Sequence, residues 1–228
     1  MPVLGKPLLF YLTERLARVK GADSFVILTS TKQEDDVIVA FCEKNGIPYF
    51  RGSEEDVLDR YYHAALDRHP DAIVRITADC PLIDLKSVDD VISTYKNEYP
   101  KWDYVSNSLQ RTFPRGLDTE LFSFKALEIA ANNALDPSER EHVTMYMYKH
   151  PEQFRLKNVA SPINLSQHRW TVDTIEDFEL IKRLIQELYP NKPHFELQDV
   201  LNTLKSHPEW QNINAHVEQK TTNHPLDS

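Results

Sequence analysis

Apolar positions along this chain alternate between a helical period and short β-type runs. In KPLLFYLTERLARV, Leu8, Leu9, Leu12, Leu16 and Val19 fall on one helical face. SFVILTS is a short run of β-formers and predicts a strand. EDDVIVAFCEKNG predicts a helix closed by Gly46, and IPYF a short strand. SEEDVLDRYYHAALDRH follows, with Val57, Leu58, Tyr61, Tyr62, Ala65 and Leu66 in helical step. AIVRIT then predicts a strand and LKSVDDVISTYKNE a helix. This alternation implies βαβ units, hence an α/β fold with a mainly parallel sheet and helices on both faces.

The middle of the chain breaks the rhythm. WDYVSN and TELFS predict strands on either side of the polar loop SLQRTFPRGLD, which holds Pro114 and Gly116. FKALEIAANNA and PSEREHVTMYMYKH predict helices, FRLKNVA and HRWTVD strands. TIEDFELIKRLIQELY places Phe178, Ile181, Leu184, Ile185 and Leu188 on a core side, and a last helical pattern surrounds LQDVLNTLKSH. The expected organisation is one domain over 1–217, followed by a polar, disordered tail from about Glu218.

Composition narrows the function. The 228 residues are 41% hydrophobic, which suits one compact domain. The net charge of -9 lacks the basic surplus of proteins that grip nucleic acid polymers, so none is expected. A small anionic ligand held by a few arginines remains open. No apolar run reaches the length of a membrane span, and no signal-peptide layout opens the chain. Cys42 and Cys80 form no metal or disulfide pattern, which reads as a reduced, cytosolic protein. None of the five glycines completes G-x-G or a P-loop.

Candidate chemistry sits at strand ends, where open α/β sheets bind ligands. VRITADCPLID ends a hydrophobic strand with Asp79 and Asp84. Asp84 precedes a helix and reads as its N-cap. Asp79 is followed by Cys80 and Pro81 rather than a helix, so its carboxylate needs another partner, and a metal ion is one option. Asp173 ends HRWTV; Thr174 and Asp177 fit a helix cap and leave Asp173 just outside it, open between turn and ligand. Ser53 and Asp56 repeat the cap pattern in GSEED. Arg51, Arg75 and Arg169 each require an anion, a neighbouring carboxylate or a ligand. Cys80 reads as a small buried residue rather than a nucleophile, and the histidines show no zinc spacing.

Taken in order, LGKPLLFYLTERL, TSTKQEDD, FRGSEEDVLDRYYHAA, VRITADCPLID, FPRGLDTELFS, SEREHVTMYMY and RWTVDTIEDFELIK resemble the cytidylyltransferases that make CMP-activated acidic sugars, the spore coat polysaccharide branch in particular. The resemblance runs from about residue 3 to about 217. It implies a Rossmann-like nucleotidyltransferase fold with a small sugar-site and dimerisation region over about 102–160. It also implies attack of a sugar hydroxyl on the α-phosphorus of CTP with Mg²⁺ as cofactor, in a homodimer. Asp79 matches the family's metal-binding aspartate and Asp173 its second acidic position. Thr29, Ser30, Thr31, Arg51 and Ser53 lie where the family holds base and ribose, with Arg75 and Thr77 on the strand before Asp79. Asp118, Glu120, Glu141 and His142 lie where it places sugar-binding and dimer contacts.

The resembling segments begin after the family's first strand and its A-R-x-x-S-x-R-L-P-x-K phosphate loop. The expectation is therefore a sheet lacking that strand and a chain of impaired activity, with Met1 an internal methionine. Lys6 in LGKP matches a packing position, not the catalytic lysine. Two other readings stand beside this one: a sugar-nucleotide glycosyltransferase, which would carry a D-x-D motif that the Asp79 strand end lacks, and a non-catalytic nucleotidyltransferase-like binding protein.

Overall fold

The computed structural model describes residues 2–218. The predicted disordered tail, Glu218 apart, lies outside the described residues. The chain opens with a hairpin, β1 (Pro2–Val3) and β2 (Lys6–Pro7), paired antiparallel. Its two-residue turn, Leu4 and Gly5, has φ of 47° and 73°. This is the left-handed pair that tight hairpins require, and it delays the predicted first helix to α1 (Leu8–Leu16).

The next elements follow the predicted alternation: β3 (Ile27–Ser30), α2 (Asp36–Asn45), β4 (Tyr49–Gly52), α3 (Val57–Leu66), β5 (Ala72–Arg75) and α4 (Leu85–Asn97). Gly46 closes α2 with φ 65°. Asp84 caps α4 by accepting from Ser87 N at 3.0 Å, and it also accepts from Leu197 N at 3.2 Å. The α3 cap is shifted from Ser53 to Asp56, whose carboxylate accepts from Asp59 N at 2.9 Å while Ser53 Oγ accepts from Asp56 N at 3.0 Å.

Beyond α4 come β6 (Tyr104–Ser106), β7 (Glu120–Ser123), α5 (Phe124–Asn133), α6 (Pro137–Glu141), α7 (Met145–Lys149), β8 (Leu156–Asn158), α8 (Ile175–Leu188) and α9 (Leu197–Ser206). Two predictions change here. PSEREHVTMYMYKH is not one helix: Val143 adopts φ 47°, which separates α6 from α7. A buried β-branched residue in that region is a genuine outlier. HRWTVD is not a strand; it makes a single parallel bridge, Arg169 with Arg115.

The strands form two sheets besides the hairpin: β3 with β4, and a four-stranded sheet in the order β5-β7-β6-β8. The β3–β4 and β6–β8 pairs are parallel, whereas β7 runs antiparallel to both β5 and β6. The α/β layering is as expected, with a more mixed pairing than alternation alone suggests.

Strand alternation puts a separate core on each face of the larger sheet. Tyr104 and Phe122 join Leu58, Leu127 and Met147 on the face covered by α3, α5 and α7. Val105 and Leu121 join Leu12, Ile83, Val88 and Val91 on the face covered by α1 and α4. A third core gathers Trp170 with Ile181, Leu184 and Ile185 of α8 and Leu204 of α9. Lys6 is a packing element: its Nζ lies 3.9 Å above the Phe10 ring and donates to Tyr189 Oη at 3.1 Å.

Candidate active site

Three chain segments are knitted together just beyond β5. Asp79 Oδ1 accepts the Thr77 hydroxyl, and Asp79 Oδ2 accepts the Thr171 hydroxyl at 2.8 Å. Val172 N donates to Asp79 O at 2.9 Å, so Asp173 follows directly on a residue bonded to Asp79. The third segment is the RGLD loop. Arg115 N donates to His168 O at 3.0 Å and Trp170 N to Arg115 O at 2.7 Å. Gly116 makes this approach feasible: at φ 94° a Cβ there would lie 2.4 Å from the Trp170 carbonyl carbon. Asn107 then pins the loop, donating to Leu117 O and accepting from Thr119 N, both at 2.8 Å.

Asp79 is half-buried and Asp173 is exposed, its side chain 47% accessible. Asp173 Oδ2 accepts from Arg169 Nη2 at 2.6 Å. The same guanidinium grips the fully buried Asp177 through Nε and Nη2, both at 2.9 Å. Asp177 also completes the α8 capping box with Thr174 and accepts from Asn214 Nδ2 at 2.8 Å. Burial works to raise the Asp177 carboxyl, but the hydrogen bonds from Arg169 and Asn214 hold it below the usual carboxylate range. Cys80, buried beside Asp79, has its thiol pushed well up by burial and by that carboxylate, which fits a packing role rather than a nucleophile.

Of the residues read as nucleotide-binding, Thr29, Ser30, Thr31, Arg51 and Ser53 gather at the carboxyl ends of β3 and β4, whereas Arg75 lies on β5 against Glu120 and Thr77 donates to Asp79. Thr29 Oγ1 and Ser30 N both donate to Asp35 Oδ2 at 2.8 Å, and Ser30 Oγ accepts from Lys32 N at 3.1 Å. Arg51 donates to Ser30 O at 2.8 Å and Lys32 O at 2.9 Å and pairs with Asp36 at 2.8 Å. Thr31 and Ser53 lie exposed on this loop's rim. Sequence reasoning missed Asp35, the residue that organises the loop; hydrogen bonds from Ser30 and Thr29 hold its carboxyl below the usual range. Its signal was a polar TSTKQED run straight after a strand.

Arg75 finds its anion inside the protein. It pairs with Glu120, 8% exposed, which also accepts from Tyr104 Oη at 2.6 Å and Thr144 Oγ1 at 2.5 Å. Desolvation pushes the Glu120 carboxyl up, yet Arg75 and these hydroxyls outweigh it and leave it lowered. Glu120 is therefore a buried hub rather than an open group. Asp118 is half-buried and pairs with Arg111, at 3.1 Å through Nη2. Glu141 is exposed and His142 half-buried at the end of α6, two residues before Thr144.

The donor set at Asp79 suits Mg²⁺. It consists of oxygen ligands, and among the described residues no group of three or more His, Cys, Asp or Glu forms a metal cage. Mg²⁺ typically takes one or two carboxylates and completes its shell with water and substrate phosphates. Asp79 and Asp173 would hold it. Among the described residues no helix is long and apolar enough to cross a membrane.

A family model described as cytidylyltransferase matches residues 1–206. An uncharacterised protein of Methanocaldococcus jannaschii is 38% identical over 218 residues, covering 92% of this chain and 84% of that protein. Spore coat polysaccharide biosynthesis protein SpsF of Bacillus subtilis is 34% identical over 193 residues, covering 83% of this chain and 78% of that protein. A solved cytidylyltransferase from Leptospira borgpetersenii superposes with a TM-score of 0.88 at 32% identity, covering 97% of this chain and 91% of that one. With the family model spanning nearly all of the chain, the protein belongs to the cytidylyltransferase family.

Proposed function

We propose that this chain serves the transfer of the cytidylyl group from CTP to a hydroxyl of an acidic sugar, with release of pyrophosphate, in the making of a surface or spore coat polysaccharide. The observation that supports it most is the meeting of Thr77, Asp79 and Thr171 beyond β5, with Asp173 following the residue bonded to Asp79, in a chain of this family. The likeness to the Bacillus spore coat polysaccharide protein favours a sugar acceptor.

In the proposed reaction the acceptor oxygen bonds to the α-phosphorus, the bond from that phosphorus to the β-bridging oxygen breaks, and the hydroxyl proton passes to solvent. Mg²⁺ bound by Asp79 and Asp173 would offset the charge on the phosphates. Thr29, Ser30, Thr31 and Ser53 line the base and ribose end, with Arg51 holding that loop by its carbonyls. Arg75 ends β5, and Thr77 donates to Asp79 in the turn that follows it. Asp118, Glu141 and His142 face the acceptor, and Glu120 anchors them from within through Thr144. The 102–160 region is the proposed contact of a homodimer, and the cytoplasm, where CTP is available, its place of action.

CTP binding is the first readout. The test is calorimetry with CTP, UTP and ATP, each with and without Mg²⁺, followed by pyrophosphate release with 3-deoxy-ulosonic acids and neutral sugars. CTP-selective, Mg²⁺-dependent binding and release with acidic sugars alone are expected. A preference for another nucleotide, or release with neutral sugars, would overturn the reading.

A further inference from the structure

The Asp173 salt bridge holds more charge than it needs. Arg169, Asp173 and Asp177 bring two carboxylates to one guanidinium. Asp177 is fully buried and takes the bidentate, geometrically favoured grip of Nε and Nη2. Asp173 accepts from Nη2 at 2.6 Å, and its side chain is 47% exposed. The trio carries a net charge of about −1, and that surplus faces the solvent on Asp173.

The backbone around Asp173 is held independently of its side chain. Asp173 N donates to Asp177 Oδ2 at 3.1 Å, and Val172 N donates to Asp79 O at 2.9 Å. Asn214 Nδ2 bridges Asp177 Oδ1 at 2.8 Å and Arg169 O at 2.9 Å. A rotation of the Asp173 side chain away from Arg169 would leave these contacts in place. It would also leave Arg169 neutralised, because the Asp177 pair persists.

We infer that Arg169 is a positioning residue for Asp173: it parks the Asp173 carboxylate in a salt bridge that a divalent cation replaces, while Asp177 keeps the guanidinium compensated through the exchange. This rests on the proposed reading of Asp79 and Asp173 as metal ligands. Arg169 competes with the cation, so it sets metal affinity without touching the metal. Asp177, which reads in the sequence as a helix cap, lowers the strength of that competition.

The test is Mn²⁺ binding to the full chain, followed by water-proton relaxation at neutral pH, with folding checked by circular dichroism. Arg169→Gln removes the competing charge and is expected to tighten Mn²⁺ binding at least about threefold. Asp177→Asn leaves the arginine charge to Asp173 alone and is expected to weaken binding at least about threefold. Arg169→Lys keeps the charge but loses the bidentate fork, and is expected to fall between the unaltered chain and Arg169→Gln. Opposite shifts for the first two variants support the inference. Shifts in the same direction, as simple loosening of the α8 start would give, or no shift, overturn it. Where Arg169→Gln does not fold, Arg169→Lys and Asp177→Asn decide it: an unchanged Asp177→Asn affinity overturns it. Asp79→Asn and Asp173→Asn separate the two claims. If neither weakens Mn²⁺ binding, the metal-site reading itself fails; if both do and the Arg169 and Asp177 variants do not shift, only this inference fails.

Discussion

Two acid clusters in this molecule sit on neighbouring strands and are treated in opposite ways. Glu120 opens β7 and is closed in: Arg75, Tyr104 and Thr144 use its oxygens, and 8% of it is exposed. Asp79 follows β5 and is tied to two threonine hydroxyls, and the neighbouring Asp173 is half open to solvent. A charge in a core must be paired and hydrogen-bonded, and Glu120 meets that demand within the chain. Carboxylates at a strand end retain capacity for a ligand. The carboxylate group is shared; burial and the count of donors distinguish a scaffold acid from a candidate site.

The sharpest way to break this contrast is Glu120→Gln. It leaves Arg75 charged and buried without its carboxylate, and a loss of about 3–5 kcal/mol is expected in denaturant unfolding. A loss below about 1 kcal/mol would mean the hub is not structural. Gly116→Ala comes next. Its Cβ would meet the Trp170 carbonyl carbon at 2.4 Å and its φ of 94° disfavours a side chain, so roughly 2–4 kcal/mol should be lost. That variant should also weaken nucleotide binding, because the loop that abuts the 168–174 segment must move.

Acid sharpens the same contrast. The Glu120 and Asp177 carboxyls both lie below their ordinary values in the fold. Each therefore adds stability that is complete above the unfolded value of about 4 and is lost as pH falls through the folded value. Melting temperature should hold steady near neutrality and drop below about pH 4.5, with a shallower drop in Glu120→Gln. A rise in stability on acidification would contradict the assignment. The smallest effect is expected from Asp84→Ala, which removes the α4 cap and the Leu197 contact: about 1–2 kcal/mol, read by thermal melting, with CTP binding kept.

The contrast also explains what could be read in the sequence. Caps are local, so Asp84 before α4 and Thr174 with Asp177 before α8 were legible from spacing alone. Helical faces were legible because their period is short. Arg75 and Arg169 each announced a need for an anion, but the partner of Arg75 lies 45 residues away on a strand whose antiparallel insertion no local pattern reveals. The break at Val143 was hidden as well: nothing in EHVTM signals a left-handed valine, and the reach of Thr144 to the Glu120 hub is a tertiary contact. HRWTVD has strand composition, yet its backbone is spent on the Arg115 bridge and the Asp79 loop instead of a ladder. Asp79 stood out because no helix follows it to cap; in the structure its carboxylate accepts from the Thr77 and Thr171 hydroxyls, a pairing with Thr171 that no local pattern reveals.

The most direct measurement is calorimetric titration of the chain and of Asp79→Asn with CTP, with and without Mg²⁺, both checked for folding. The account predicts Mg²⁺-dependent binding that falls at least about tenfold in Asp79→Asn, while its melting temperature stays within a few degrees. Unchanged Mg²⁺-dependent binding in a folded Asp79→Asn would place the site elsewhere and contradict it.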